Sequence, residues 1–410
     1  MAEWTAGEVL AVLQAGGQGG RMDVLTRERA KPAMPFAGTF RLIDFPMSCV
    51  AHSSIRDVWV SVQYQAASLD PYLSGGRPWD LDRTRGGFRR VVPEEGSGPA
   101  DTEGFSRGNA DNLHRLREQI AAHGARTVVV LSCDHVINVD LDELLRRHHG
   151  HGAECTILTA EVGVREAQHN MVVRAAADGT VRAVEDKPAR LPETGTVATE
   201  VFVYDSAVLL EQLERLRREL AETNGDPYDT GLGDFGEHLV PALVERGRTL
   251  AVLVEGYWRD AGRPQTYLMA HRDLVAGRVD VFDHRDRPVL SHPVDGPPGM
   301  VAAGADVEDS MVGPGAVVRG TVRHSVLGPG VVVEPGAVVE DAVLFGEVVV
   351  ERDARVATAV LDTRVRVGRR AVVGQRHRRG TVPDDAIVLV GADGNIAAGA
   401  TLEPGSRMEL

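Results

Sequence analysis

The stretch that decides the fold is "EVLAVLQAGGQGGRM", residues 8 to 22: an apolar run that ends in a glycine-rich turn and an arginine. The run reads as a β-strand buried on both faces. Glycines placed straight after such a strand let backbone N–H groups come close to phosphate oxygens, and Arg21 adds charge-assisted bonds. The turn is not the dinucleotide fingerprint, because Met22 stands where its third glycine would be. Without a lysine after it, it is not a Walker loop either.

Working outward, short apolar runs alternate with longer amphipathic stretches: "VWVSVQ", "NADNLHRLREQIAAHG", "TVVVLSCDH", "LDELLRRHHGHG" and "CTILTAEV". Strands joined by helices imply a Rossmann-like, mainly parallel α/β sheet whose ligands bind at the carboxyl ends of the strands. That rule puts Gly16 to Arg21 and Cys133 to Asp134 on one rim. The pattern runs to a helix at "PQTYLMAHRDLVAG". A proline-rich and charged stretch, 280–301, reads as a linker after a first domain over 1–279. Beyond it, over 302–410, Val326, Val332, Val338, Leu344, Val350 and Val356 recur every six residues, and Leu361, Val367 and Val373 resume the interval after a one-residue slip. With Gly-Pro and Pro-Gly turns between them, these predict a parallel β-helix of hexapeptide repeats.

The totals narrow the function. A chain of 410 residues with a formal charge of -14 is a poor partner for nucleic acid or an anionic membrane, so any anion site must be local. Three cysteines, Cys49, Cys133 and Cys155, lack metal-ligand spacing, which argues against zinc and against a disulfide framework. With no apolar run of about 18 residues and an acidic start, "MAEWTAGEVL", a cytoplasmic protein is expected. Only two lysines occur, Lys31 and Lys187, against arginine at every other basic position. Two places therefore call for a compact ammonium on a flexible stem rather than a planar guanidinium.

The motifs, taken in order, resemble the sugar-phosphate nucleotidyltransferases, and among them the glucose-1-phosphate adenylyltransferases. "LQAGGQGGRM" is similar to the nucleotide loop of that family, and "AKPAMPFAGTFRLIDFPMS" and "VQYQAASLDPYL" to the segments after it. "SRGNADNL" resembles its Arg-Gly-Thr-Ala-Asp run and "LSCDHVINVD" its Gly-Asp-His strand end. "EDKPA" is similar to its Glu-Lys-Pro, "DFGEHLVP" to its Asp-Phe-Gly segment and "YWRDAGRPQTY" to its Trp-Arg-Asp-Val-Gly-Thr. The resemblance implies a left-handed sense for the β-helix. It also implies adenylyl transfer from ATP to glucose 1-phosphate, giving ADP-glucose and pyrophosphate for glycogen or another α-glucan, with Mg²⁺ as cofactor.

Carried over residue by residue, the resemblance makes Arg21, Lys31 and Asp134 catalytic. It puts Ala15, Gly16, Gly17, Gly19, Arg21, Lys31, Gln63, Gly108 and Asp111 on the nucleotide. Arg107, Glu185, Lys187 and Ala198 fall on the sugar phosphate, and Asp134 and Asp260 on Mg²⁺. A homotetramer and a small-molecule allosteric effector are implied as well, for which the arginines of "RVRVGRR", 364–370, are one candidate.

Departures from the family pattern cluster near the hexose. Ser106 replaces a tyrosine, Asn109 a threonine, Cys133 a glycine beside Asp134, Asn170 a glycine, Ala198 a serine and Glu200 a glycine. They leave open a noncatalytic regulatory subunit, or a transferase for another sugar 1-phosphate or nucleotide. An acyltransferase on the β-helix is a more distant alternative, since His324 and His377 sit in no acyl-transfer context.

Overall fold

In a computed structural model, which describes residues 4, 7–17, 19–92, 106–191, 194–221, 230–377 and 382–409, strand β1 (Val9–Gln14) lies at the centre of a nine-stranded sheet. Its residues alternate between two cores: Val9, Ala11 and Leu13 face one, Leu10 and Val12 the other. Both faces are covered, which is why the strand reads as an unbroken apolar run. The glutamine at position 18 lies outside the described residues.

Besides a short two-residue pair, Pro35–Phe36 with Phe40–Arg41, the other strands of the N-terminal part are β2 (Asp57–Ser61), β3 (Gly87–Val91), β4 (Thr127–Ser132), β5 (His135–Ile137), β6 (Cys155–Val162), β7 (Met171–Ala175), β8 (Val181–Asp186), β9 (Gly195–Asp205), β10 (Thr249–Leu253) and β11 (Trp258–Asp260). Along the sheet the order is β8-β7-β9-β4-β1-β2-β3, with β6 joining β9 to β10. Strand β1 pairs in parallel with β2 on one side and β4 on the other. The chain adds β2 and β3 on one side of β1 and then crosses to β4 on the other, and this switch in strand order opens a crevice at the carboxyl ends of β1 and β4. The sheet is more mixed than its sequence pattern implies: β9 runs antiparallel to β4, β6 and β7. Helices α1 (Asp44–Ala51), α2 (Asn109–His123), α3 (Leu141–Gly150), α4 (Ser206–Ala221) and α5 (Pro264–Val275) are the longest of this part.

Residues 276–299 carry no helix or strand, yet their first part is pinned down. Asn138 Nδ2 donates to the carbonyls of Val281 and Arg287, each at 2.9 Å, and the Leu290 amide donates to Ser48 Oγ at 2.9 Å. Parallel β-helix pairing starts at Met300–Val301, two residues inside the stretch that reads as linker.

In the C-terminal coil Val332 pairs with Val349 and Val349 with Arg366, so one turn takes 17 residues. The sides are six, five and six residues long, and the slip recurs in every turn rather than once. The inward side chains are therefore Leu327, Val333, Val339, Leu344, Val350, Val356, Leu361, Val367 and Val373. This corrects the first half of the six-residue register by one position: Val332 and Val338 stand half-exposed on the outer face. The next turn is longer, since Arg366 pairs with Asn395 across an inserted loop.

Val326, also outward, is buried with Val343, Phe345 and Val360 against Met22, Phe36, Tyr267 and Leu268 of the N-terminal domain. This seam is reinforced by bidentate pairing of Arg272 with Asp341, one partner on α5 and the other on the coil, and by Arg29 with Asp362 at 2.5 Å.

Three buried histidines give stability a pH dependence. Burial pushes His114, His148 and His271 from 6.5 down to about 4. His271 is held neutral by geometry: its Nε2 accepts from the Ala37 amide at 3.3 Å while Nδ1 donates to the Tyr267 carbonyl at 2.9 Å. A depressed histidine binds fewer protons folded than unfolded, so its contribution is complete above 6.5 and is lost as pH falls toward 4. Asp44, pushed by burial up to about 6, opposes this between about 6 and 3.8, as do Glu166 and Glu200, whose carboxyls burial also raises. His149 and His169, lowered by burial, and Glu154, held low by Arg246 and Arg248, add to the loss on acidification. Thermal unfolding followed by circular dichroism is expected to show a midpoint that declines from pH 7 to 4, less steeply in His271→Gln. A flat or rising midpoint would contradict this assignment of charge states.

Candidate active site

Asp134 and Asp260 are far apart in sequence and adjacent in space. Asp134 follows the carboxyl end of β4, and Asp260 ends β11, whose antiparallel pairing with β5 sets Asp260 opposite His135. The Ala261 amide closes the junction on the Asp134 carbonyl at 3.1 Å. His135 Nε2 lies 3.4 Å from Asp134 Oδ1 and 3.9 Å from Asp260 Oδ1, and one ligand atom from each of the three residues falls within 4.8 Å of the others. His135 Nδ1 donates to the Thr199 carbonyl at 2.8 Å, which leaves Nε2 facing the carboxylates. Two carboxylates are hard oxygen donors that leave positions for water and phosphate oxygens, so this donor set suits a divalent cation such as Mg²⁺.

Two like charges this close need compensation. Lys31, only 5% exposed, donates from Nζ to Asp134 Oδ2, and Ser132 Oγ donates to Oδ1. Burial opposes ionisation of Asp134, but Lys31 and His135 outweigh it and hold its carboxyl below the usual carboxylate range. Burial alone would lower His135, yet Asp134, Glu200 and Asp260 raise it above its ordinary value.

These residues line a cavity of about 570 Å³ together with Ala15, Gly17, Gly19, Arg21, Asn170, Lys187 and Glu200. A second cavity of about 360 Å³ adjoins it and takes Gly16, Gln63, Ser106, Arg107 and Gly108. Gly16 is glycine for want of room, since a Cβ there would stand 2.7 Å from Gln63 Nε2. At Gly108 a Cβ would meet the Gly233 backbone at 2.2 Å, and this close approach lets the Ala110 amide donate to the Gly233 carbonyl. Gln63 and Ser106 bond each other through side chain and backbone, with the Ser106 amide 2.7 Å from Gln63 Oε1.

Several expected residues stand elsewhere. Asp111 is buried under the loop, accepting from the Arg107 amide at 2.8 Å, from Arg115 at 3.1 Å and from Thr230 at 2.8 Å, and lines neither cavity. Ala198 is 2% exposed and belongs to the core, because strand alternation turns it away from the cavity. Glu185 is exposed and pairs with Arg174 at 3.6 Å. The carboxylate beside Lys187 Nζ is that of Asp186, at 3.2 Å. Cys133 also points inward: its thiol is buried in the core and its pKa is pushed up by burial, so it places nothing beside the aspartate. Of the arginines in 364–370, Arg364 and Arg366 are already paired, with Asp393 at 2.6 Å and Glu351 at 2.7 Å.

Other residues belong to quoted motifs or departures but take their places only through the fold. Asp234 accepts from the Asn109 amide at 3.2 Å and lies 3.9 Å from Lys187. Gln14 at the end of β1 donates to the Asn109 carbonyl at 2.9 Å. Glu200 sits in a bulge of β9, where the register jumps between Ala198 and Phe202, with φ of 56°. That conformation costs an L-residue about 1 kcal/mol or more, and a glycine nothing. Its carboxylate lines the main cavity without a hydrogen bond or ion pair among the described residues.

With this geometry in place, comparison with known proteins is direct. Residues 10–277 match the model of the nucleotidyl transferase family, and residues 300–390 match a GlmU-like C-terminal hexapeptide model. The chain is 31% identical over 403 residues to the glucose-1-phosphate adenylyltransferase of Desulfitobacterium hafniense, covering 98% of each chain. The enzyme of that name from Acetivibrio thermocellus is 30% identical over 370 residues, 90% of this chain and 84% of the relative. That of Bacillus cereus is 33% identical over 339 residues, 82% and 86%. Both parts of the fold are thus matched, the sheet by one family model and the hexapeptide coil by the other, and this chain belongs to the glucose-1-phosphate adenylyltransferase family of nucleotidyl transferases.

Proposed function

We propose that this chain transfers the adenylyl group of ATP to glucose 1-phosphate, giving ADP-glucose and pyrophosphate for α-glucan synthesis. The observation that carries the reading is the convergence of Arg21, Lys31, Asp134, Lys187 and Asp260 on one cavity at the carboxyl ends of β1 and β4. The nucleophile, an oxygen of the sugar phosphate, is already an anion, so the reaction asks for no general base. Its barrier is repulsion between anions. Arg21 and Lys31 take the triphosphate, Lys187 takes the phosphate of the sugar, and the loop from Ala15 to Gly19 lets the nucleotide come close to backbone. An electrostatic donor at such a site is worth roughly 3 to 4 kcal/mol. Asp134 and Asp260 would hold Mg²⁺, which when bound would supply charge neutralisation to the phosphates.

A lysine suits position 31 because its ammonium shares a crowded corner with a metal carboxylate, where a planar fork would not fit. The proposal extends to the homotetramer, the small-molecule effector and the cytoplasmic location that the family resemblance implies. No described helix is long and apolar enough to cross a membrane.

The test is pyrophosphate release by the purified chain with Mg²⁺, scanning ATP, GTP, UTP and dTTP against several sugar 1-phosphates. Release is expected with ATP and glucose 1-phosphate. Release with a different pair alone would reassign the substrate, and none with any pair, from a folded oligomer, would move the chain to a regulatory role; Glu200 in the sugar cavity is the feature that would favour it. Asp134→Asn is expected to lower turnover by at least about 100-fold while nucleotide binding, read by calorimetry, persists; unchanged turnover would remove Asp134 from the metal site. Lys187→Arg is expected to raise the KM for the sugar phosphate about tenfold, a loss of about 1.4 kcal/mol. A rise confined to the nucleotide KM would exchange the roles of the two lysines.

A further inference from the structure

The last turn of the coil reaches back to the first loop of the chain. Its closing strand, Arg407–Met408, pairs in parallel with Val388–Val390, and Arg407 extends from it to the N-terminal domain. Arg407 Nε lies 3.2 Å from Asp23 Oδ2. Backbone holds the rest of the guanidinium: Nη2 donates to the Asp384 carbonyl at 3.0 Å, and Nη1 donates to the carbonyls of Gly405, at 3.0 Å, and Ile387. Nearby, Arg27 Nε meets Glu409 Oε1 at 2.7 Å, and Met22, Val24 and Leu25 are buried in one cluster with Val382, Ile387 and Leu389.

Both partners of Arg407 lead to the main cavity. Asp23 stands two residues after Arg21, which lines it. The Asp23 backbone, at φ 54° and ψ −128°, is a kink between two short turns, and an L-residue keeps that combination only where its surroundings impose it. Part of the constraint is internal, since Thr26 Oγ1 lies 2.8 Å from the Gly19 carbonyl and 3.2 Å from that of Asp23. Arg407 supplies an external part through the side chain. Asp384, the second partner, accepts from the Gln265 amide at 2.8 Å through its own carboxylate. Gln265 lies in the first turn of α5, just after the segment in which Asp260 Oδ1 accepts from the Gly262 amide at 2.6 Å. One guanidinium therefore connects the loop that carries Arg21 with the segment that carries Asp260.

We propose that Arg407 is a positioning residue of the active site: paired with Asp23 and bound to the Asp384 carbonyl, it holds the nucleotide loop in register with the segment of Asp260. The inference rests on the adenylyl-transfer reading, in which that loop takes the nucleotide. Arg407 itself touches no substrate and acts through Asp23. An ion pair between two solvent-facing side chains is worth little alone, because holding both costs side-chain entropy. Here backbone carbonyls already fix the guanidinium, so pairing with Asp23 orders little more. The residue it holds is strained, and a strained residue relaxes once released. Arg21, two residues away, would shift with it.

The experiment uses the full chain with Mg²⁺ and ATP, and reads calorimetric affinity beside steady-state kinetics. Arg407→Gln is expected to weaken ATP binding and raise the KM for ATP about tenfold, while the KM for glucose 1-phosphate stays within about twofold. Arg407→Lys, which offers Asp23 a charge but has no fork for the carbonyls, is expected to recover part of the loss. Asp23→Gly removes the carboxylate and the strain together, and in that background Arg407→Gln is expected to change ATP affinity by less than about twofold. A lowered thermal midpoint and active fraction with both KM values in place would mean a purely structural role and would overturn the proposal. So would a tenfold loss that is the same with and without Asp23. ATP binding that depends on Arg407 in a chain inactive with every substrate pair would keep the positioning role and remove the transferase; turnover with ATP binding indifferent to Arg407 would do the reverse.

Discussion

The site depends on holding two carboxylates side by side against their mutual repulsion. Asp134 and Asp260 come together because β11 pairs antiparallel with β5, a two-strand ladder separate from the main sheet. Backbone hydrogen bonds oppose the repulsion, and Lys31 and His135 neutralise part of it. The result is a negative point with hard oxygen donors in the crevice, in a cavity that Arg21 and Lys187 also line. Such alternation of charge suits a reaction in which two phosphorylated anions must meet. The same arrangement creates competition, since Lys31 and a bound cation seek the same carboxylate. A divalent cation held by Asp134 and Asp260 would compete with Lys31 for Asp134, and the displaced ammonium would then be available to phosphate oxygens.

The C-terminal coil contributes to this point without lining it. Outward residues that break the inward hexapeptide pattern, Val326, Val343 and Phe345, form the seam with the N-terminal domain. Arg272 on α5 is clamped by Asp341, and Asp384 from the inserted loop caps the start of the same helix at Gln265. Arg263 is the residue at which that helix begins. Helix α5 is therefore fixed at both ends by the C-terminal domain, and it follows directly on the segment that carries Asp260.

Much of this was legible in the sequence because it is local. A strand buried on both faces followed by glycines, an aspartate at a strand end and two lysines in an arginine-rich chain each state their chemistry within a few residues. What the sequence obscured depends on register. Cys133 and Ala198 look like site residues by position, but strand alternation sends both into the core. The bulge in β9 presents Glu200 instead, in a left-handed conformation that accounts for the glycine the family places there. Asp111 reads as a ligand contact and is the buried anchor of its loop. In the coil, a five-residue side in every turn shifts the inward register, which a search for sixes alone misses. Asp234 stands in a motif the resemblance picks out, but its place beside Asn109 and Lys187 comes only through contacts distant in the chain.

The measurement that bears most directly on the paired carboxylates is Mn²⁺ binding to the full chain, followed by electron paramagnetic resonance with and without nucleotide. The account expects a site that tightens when nucleotide is added and is lost in Asp260→Asn, although that residue lies in a different segment from Asp134. Binding that is equal in the wild type and Asp260→Asn would mean that the ladder between β5 and β11 does not build a metal site, and the central claim would fall.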